Sequence, residues 1–128
     1  MTETASYAGS CLCGAASYRI TDAKPKGFYL CHCQRCRKGT GTVHGANVFL
    51  ESGTLTWEKG EDQVTSFNLA GTRHSRAFCK TCGGPLPRRE GPQFFVVPAG
   101  SLDAGSALQP SAHIFLENRA AWEDLLPK

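Results

Sequence analysis

No apolar run in the 128 residues approaches the roughly 20 that a membrane-spanning helix needs. The opening MTETASYAGS has neither a basic leader nor an apolar core, so no secretory signal is visible. Neither sign of charge dominates: 14 lysines and arginines stand against 11 acidic residues, a formal net charge of +3. The concentrated basic stripe of a general nucleic-acid surface is missing. Also missing are a phosphate-binding loop, a dinucleotide fingerprint, a nucleophile triad, a low-complexity tract, an interdomain linker and an internal repeat. These absences leave a single domain over residues 1–128 as the expectation. It should sit in the reducing cytoplasm, with no membrane and no nucleic acid among its partners.

Fourteen glycines and seven prolines point to a turn-rich, mainly β chain. Apolar and small residues alternate through Ala16, Tyr18 and Ile20, then Phe28 and Leu30, then Ala46, Val48 and Leu50. Similar runs occur at Leu55–Trp57, Phe67–Leu69, Phe94–Val97 and Ile114–Leu116. Period-two runs of this length predict about eight short antiparallel strands. DAKPKG, ESG, EKGED, GGPLPRREGP and PAGSLDAGSALQP are the expected turns. Helix is expected only for one turn after Cys33 and for a short segment near Ala120 to Leu125. Trp57 and Trp122 are expected in the core.

Seven cysteines fall in three clusters, CLC at Cys11–Cys13, CHCQRC at Cys31–Cys36 and CKTC at Cys79–Cys82. Seven is odd, so a disulfide framework leaves one thiol over, and in a reducing compartment clustered cysteines are better read as metal ligands. On an extended strand, Cys11 and Cys13 would present both sulfurs to one face. In CKTCGG the chain folds back, with Gly83 free to take positive φ. These four thiolates satisfy tetrahedral Zn²⁺ completely, the pattern of a structural site. Cys31, Cys33 and Cys36 form a tripod that leaves one tetrahedral position open, the pattern of a catalytic site. A histidine closing that second site is the alternative, with His32, His44, His74 and His113 as candidates; His32, between two ligands, should point away. With seven thiolates and two Zn²⁺ per chain, the formal charge of +3 falls to zero.

Arg35, inside the tripod segment, and Arg37 and Lys38 just after it are candidates for gripping the carboxylates of an acidic thiol, arginine by a bidentate fork. Neutralising nearby thiolates is their other reading. Arg73, Arg76 and Lys80 flank the CKTC pair and are expected only to neutralise. Gly39 and Gly41 could let the backbone approach a ligand or simply turn. His44 and Asn47 could face the open metal, His44 as a general base, although packing is the plainer role for it.

Taken in order, GSCLCGAASY, CHCQRCRKGTG, FCKTCGGPL and the closing HIFLENRAAW resemble the glutathione-dependent formaldehyde-activating enzyme family, which includes the centromere protein V group. The resemblance spans about residues 9–122. It implies the β-tent fold shared with the Rab-associated guanine-nucleotide-releasing chaperones, antiparallel sheets around zinc. It also implies a structural zinc on Cys11, Cys13, Cys79 and Cys82 and a catalytic zinc on Cys31, Cys33 and Cys36. The expected activity is that of a carbon–sulfur lyase like S-(hydroxymethyl)glutathione synthase, adding a zinc-bound thiol, glutathione or similar, to formaldehyde or another small aldehyde. A zinc-stapled binding module and a thiol carrier without catalysis are the competing readings.

Overall fold

The computed structural model describes residues 4–103 and 108–125. Of the turn expected at PAGSLDAGSALQP, residues 104–107 lie outside them. The chain is mainly β, as the alternation predicts, with ten strands and one α-helix among the described residues. Strands β1 (Ala5–Ser10), β2 (Ser17–Cys31), β3 (Gly45–Glu51), β9 (Phe94–Pro98) and β8 (Arg88–Arg89) lie side by side in one curled sheet. β4 (Thr54–Lys59) and β10 (Ala112–Ile114) also pair with β2. A smaller sheet holds β5 (Val64–Asn68), β6 (Ser75–Cys79) and β7 (Pro85–Leu86). Within the described residues no helix is long and apolar enough to cross a membrane.

β2 is the element that departs most from the sequence pattern. DAKPKG, expected as a turn, lies inside this 15-residue strand. Asp22 takes φ +56 and the ladder slips between Pro25 and Gly27, so the segment bends the strand without reversing it. Each half then serves a different neighbour. Ser17–Thr21 pairs with β1 and β4, while the half ending at Cys31 pairs with β3 and β10. The β10 pairing is parallel, against the expected all-antiparallel order. That strand also starts and stops earlier than Ile114–Leu116 suggested, because Phe115 enters the left-handed region at φ +58 and a 3-10 turn follows over Leu116–Asn118.

The core sits where the alternating positions converge: Tyr18, Ile20, Val48, Leu50, Phe95 and Val97 are fully buried. Trp57 packs edge-on against Tyr18 with ring centres 5.9 Å apart. The Tyr18 hydroxyl meets the Ser101 hydroxyl at 2.6 Å, so the buried phenol keeps a polar partner. Trp122, expected in the core, is instead 52% exposed. It rides on a final 3-10 turn, Ala121–Leu125, whose anchors are the buried Ala120 and the Glu123 side chain.

Gly60 sets the corner between the two sheets. It takes φ +71 before the 3-10 turn Glu61–Gln63, and a Cβ there would lie 1.9 Å from the Ala15 carbonyl oxygen. Gly71 has a similar φ of +79 but open space around it. Gly71→Ala should therefore cost only left-handed strain, about 1–2 kcal/mol. Gly60→Ala adds a backbone clash on top, a further ~1–3 kcal/mol. Urea unfolding of the two variants should show that gap; equal midpoints would mean the corner relaxes freely.

Candidate metal centres and cleft

The Cys11–Cys13 pair does not lie on a strand. β1 ends at Ser10, and the chain reverses through Cys11–Ala16, closed by hydrogen bonds from the Cys11 N–H to the Ala16 carbonyl (3.1 Å) and from Gly14 N–H to the Cys11 carbonyl (3.2 Å). The reversal still brings the two sulfurs to 3.8 Å, and Leu12 between them points out to solvent. The CKTCGG turn behaves as expected: Gly83 takes φ +75 and its N–H donates to the Cys79 carbonyl at 2.7 Å. Backbone N–H groups then aim at sulfur, Ala16 to Cys11 at 3.3 Å, Gly84 to Cys82 at 3.4 Å and Cys13 to Cys82 at 3.5 Å.

All four sulfurs lie within 4.8 Å of one another, with Cys13 and Cys79 at 3.9 Å. A Zn–S bond of about 2.3 Å implies tetrahedral sulfur edges of about 3.8 Å. The observed spacings fit that polyhedron. The N–H donors stabilise thiolate charge, and those of Cys13 and Gly84 pull the Cys82 thiol down to about 6. This set could hold a metal ion, and its composition is consistent with zinc.

The second set is built by a strand end and a helix start. β2 delivers Cys31; Cys33, extended at φ −66 and ψ 156, caps α1 (Gln34–Thr40), and its sulfur accepts from the Cys36 N–H at 3.3 Å. The helix is two turns long where one was expected. Gly45 on β3 lies close against the tripod, since a Cβ there would sit a tight 3.3 Å from the Cys36 Cβ. Cys31, Cys33 and Cys36 also lie within 4.8 Å of one another and could hold a second metal ion. Burial, then the adjoining Cys31 and Cys33 thiols, pushes the Cys36 thiol upward. Crowded thiols of this kind lose their protons together only when a cation replaces them.

The two sets differ in access. A cleft of about 660 Å³ runs between the sheets, and Cys31, Cys33 and Cys36 line it whereas the four-cysteine set does not. α1 and β3 form one wall, with Gln34, Thr40 and Asn47 among its polar groups. The C-terminal segment adds Ile114, Phe115 and Asn118. Opposite stand Arg73, His74, Arg76 and Arg88. Of the three candidate basic residues Arg35, Arg37 and Lys38, Arg35 alone lines the cleft. Arg37 turns toward the C-terminal segment, its Nη2 3.5 Å from the Asn118 carbonyl oxygen, and Lys38 is exposed. Arg73 and Arg76, expected merely to neutralise the CKTC pair, belong to the cleft instead; their positions follow from the β5–β6 connection, which no local spacing reveals.

Behind the tripod lies a histidine network. His32 is 1% exposed; its Nδ1 meets Glu123 Oε1 at 2.8 Å and its Nε2 meets His113 Nδ1 at 2.7 Å. Its side chain thus takes two partners 81 and 91 residues away, which sequence spacing could not announce. His44 packs edge-on against His32 at 5.0 Å and does not line the cleft, so it does not face the site as a base would. Burial, then His32, lowers its pKa. Asn47 does reach the cleft.

Three mutational outcomes follow from the two cysteine sets and the network. Cys79→Ala removes one of the four converging sulfurs and should abolish folding, since the energy of binding a metal there would be folding energy. Cys36→Ala should stay folded with one metal fewer, read by metal analysis and circular dichroism. His32→Ala should strand Glu123 and His113 and cost about 1–3 kcal/mol in urea unfolding. A reversed order for the two cysteines, or an unchanged midpoint for His32→Ala, would contradict this description.

The sequence profile described as glutathione-dependent formaldehyde-activating enzyme matches residues 6–118. A Halomonas elongata protein provisionally named glutathione-dependent formaldehyde-activating enzyme is 29% identical over 129 residues, covering 91% of this chain and 79% of its own. The crystal structure of a Rhodobacter sphaeroides protein shares the fold, with a TM-score of 0.61 at 23% identity over 83% of this chain and 98% of that one. With the profile spanning both cysteine sets and the cleft between the sheets, this chain belongs to the glutathione-dependent formaldehyde-activating enzyme family.

Proposed function

We propose that the protein is a zinc-dependent carbon–sulfur lyase that, in the forward direction, joins glutathione or a similar thiol to formaldehyde or another small aldehyde. The new bond runs from sulfur to the carbonyl carbon, and the thiol proton ends on the former carbonyl oxygen. One observation carries the reading: of two cysteine sets able to hold metal among the described residues, the three-cysteine set lines a cleft large enough for a peptide-sized thiol. Zinc bound to Cys31, Cys33 and Cys36 would offer a thiophilic position and lower an incoming thiol's pKa toward neutrality. Cys11, Cys13, Cys79 and Cys82 would hold a second, structural zinc.

The chain's own residues supply placement. Arg35 stands beside the tripod in the cleft, within reach of a substrate carboxylate. Arg37 and Lys38 lie just outside and add charge without direct contact. Thr40 and Asn47 offer polar groups on the same wall. Orientation of two small reactants supplies most of the acceleration, since thiol addition to an aldehyde is easy once both are placed. Seven unpaired thiols suit a reducing compartment, and we place the working protein in the cytoplasm.

Purified, reduced protein should carry two zinc ions per chain. With cobalt in their place, adding glutathione should strengthen the thiolate-to-metal charge-transfer absorption and saturate. The same sample should accelerate exchange between formaldehyde and glutathione. A cobalt spectrum indifferent to every thiol would remove this reading and leave a zinc-stapled binding module.

A further inference from the structure

The cleft's charge is one-sided. Arg35, Arg73, Arg76 and Arg88 line it together with His74, and no aspartate or glutamate does. The nearest acidic partner is Glu90, outside the lining, which takes the Arg88 Nε at 2.5 Å and the Ser75 hydroxyl at 3.3 Å. Arg35, Arg73 and Arg76 have no carboxylate partner among the described residues; Arg76 only passes over the Phe78 ring at 5.6 Å.

These groups converge beside the tripod. Gly39, on the helix that carries Cys36, is where the arginine wall comes closest: a Cβ there would lie 3.1 Å from Arg76 Cδ and 3.7 Å from His74 Nε2. Burial, and then Arg88, Arg35 and Arg76, lower the His74 pKa, so three guanidinium groups act on a single imidazole. At neutral pH that imidazole adds no further positive charge. Unpaired guanidinium groups so close together repel one another, and an anionic ligand relieves the repulsion.

From this wall we infer that the cleft selects a thiol bearing two or more carboxylates and no ammonium group beside them. The inference rests on the proposed thiol chemistry at Cys31, Cys33 and Cys36 and narrows its substrate class. Glutathione meets it in part: two carboxylates find arginines, but its α-ammonium enters a cleft with no acidic lining residue. A thiol with the same carboxylates and a blocked or absent amine fits better. Planar arginine forks take each carboxylate bidentately.

Cobalt-substituted protein is titrated with 2-mercaptoethanol, glutathione, N-acetylglutathione and mercaptosuccinate, reading the charge-transfer band. Mercaptosuccinate should bind about tenfold or more tightly than 2-mercaptoethanol, from charge-assisted bonds to arginine. N-acetylglutathione should bind more tightly than glutathione, and both preferences should shrink as salt rises. In parallel, tricarballylate, which has three carboxylates and no sulfur, is titrated by calorimetry into the metal-loaded protein and into an Arg73→Gln, Arg76→Gln variant. It should bind the first and lose about tenfold in the second, whose metal content should stay unchanged. If mercaptosuccinate binds no better than 2-mercaptoethanol, or glutathione beats its N-acetyl form, the inference fails while the thiol chemistry stands. If every thiol leaves cobalt unchanged yet tricarballylate binds through the arginines, the anion subsite stands and the proposed reaction falls. If neither binds, both fall.

Discussion

Four sulfurs from two turns meet where the two sheets join. Cys11 and Cys13 close the turn between β1 and β2 of the large sheet, and Cys79 and Cys82 close the turn between β6 and β7 of the small one. The turns are 69 residues apart in the chain, and the small sheet shares no strand with the large. Cys11 and Cys79 are themselves part of the buried core, so the knot is packed into it. A small domain has little apolar area to spare for holding a three-stranded sheet in place, and a metal bound by these four sulfurs would supply what the core lacks.

That knot also decides the chemistry some distance away. The small sheet carries Arg76 and Ala77 on β6 and Leu86 on β7 into one wall of the cleft. The facing wall belongs to α1 and β3, beside the three-cysteine tripod. Sheet-to-sheet register therefore sets the distance between arginine and sulfur. Gly39 lets the walls close up, since a methyl group there would press on Arg76. The two cysteine sets are thus not independent: the four-cysteine set lies where the sheets meet, and so bears on the wall that faces the other set.

Much of this was legible in the residues alone. Ligand number is a chemical rule, so four cysteines in two pairs and three together announced their grouping before any geometry. Period-two alternation picked out Val48 and Leu50, which are buried, whereas β9 buries Phe95, Val96 and Val97 in succession. What stayed hidden depends on long-range register. CLC converges through a turn and not along a strand, because Gly14 and the Cys11 carbonyl close a reversal that alternation does not encode. DAKPKG reads as a turn by composition, yet pairing with β3 on one side keeps it extended. Arg73 and Arg76 come to the cleft from the small sheet and Arg88 from the far edge of the large one, and His32 finds Glu123 only because the segment after β9 returns to β2.

The parallel pairing of β10 with β2 has a consequence for synthesis. All seven cysteines precede residue 83, and the elements that present both sets are complete by β7. Ile114, Phe115 and Asn118, which finish the cleft, and Glu123, which meets His32, come later in the chain. A chain emerging from the ribosome N-terminus first can bring both thiol clusters together while the cleft still lacks one side. The three-cysteine face is therefore assembled before it is covered.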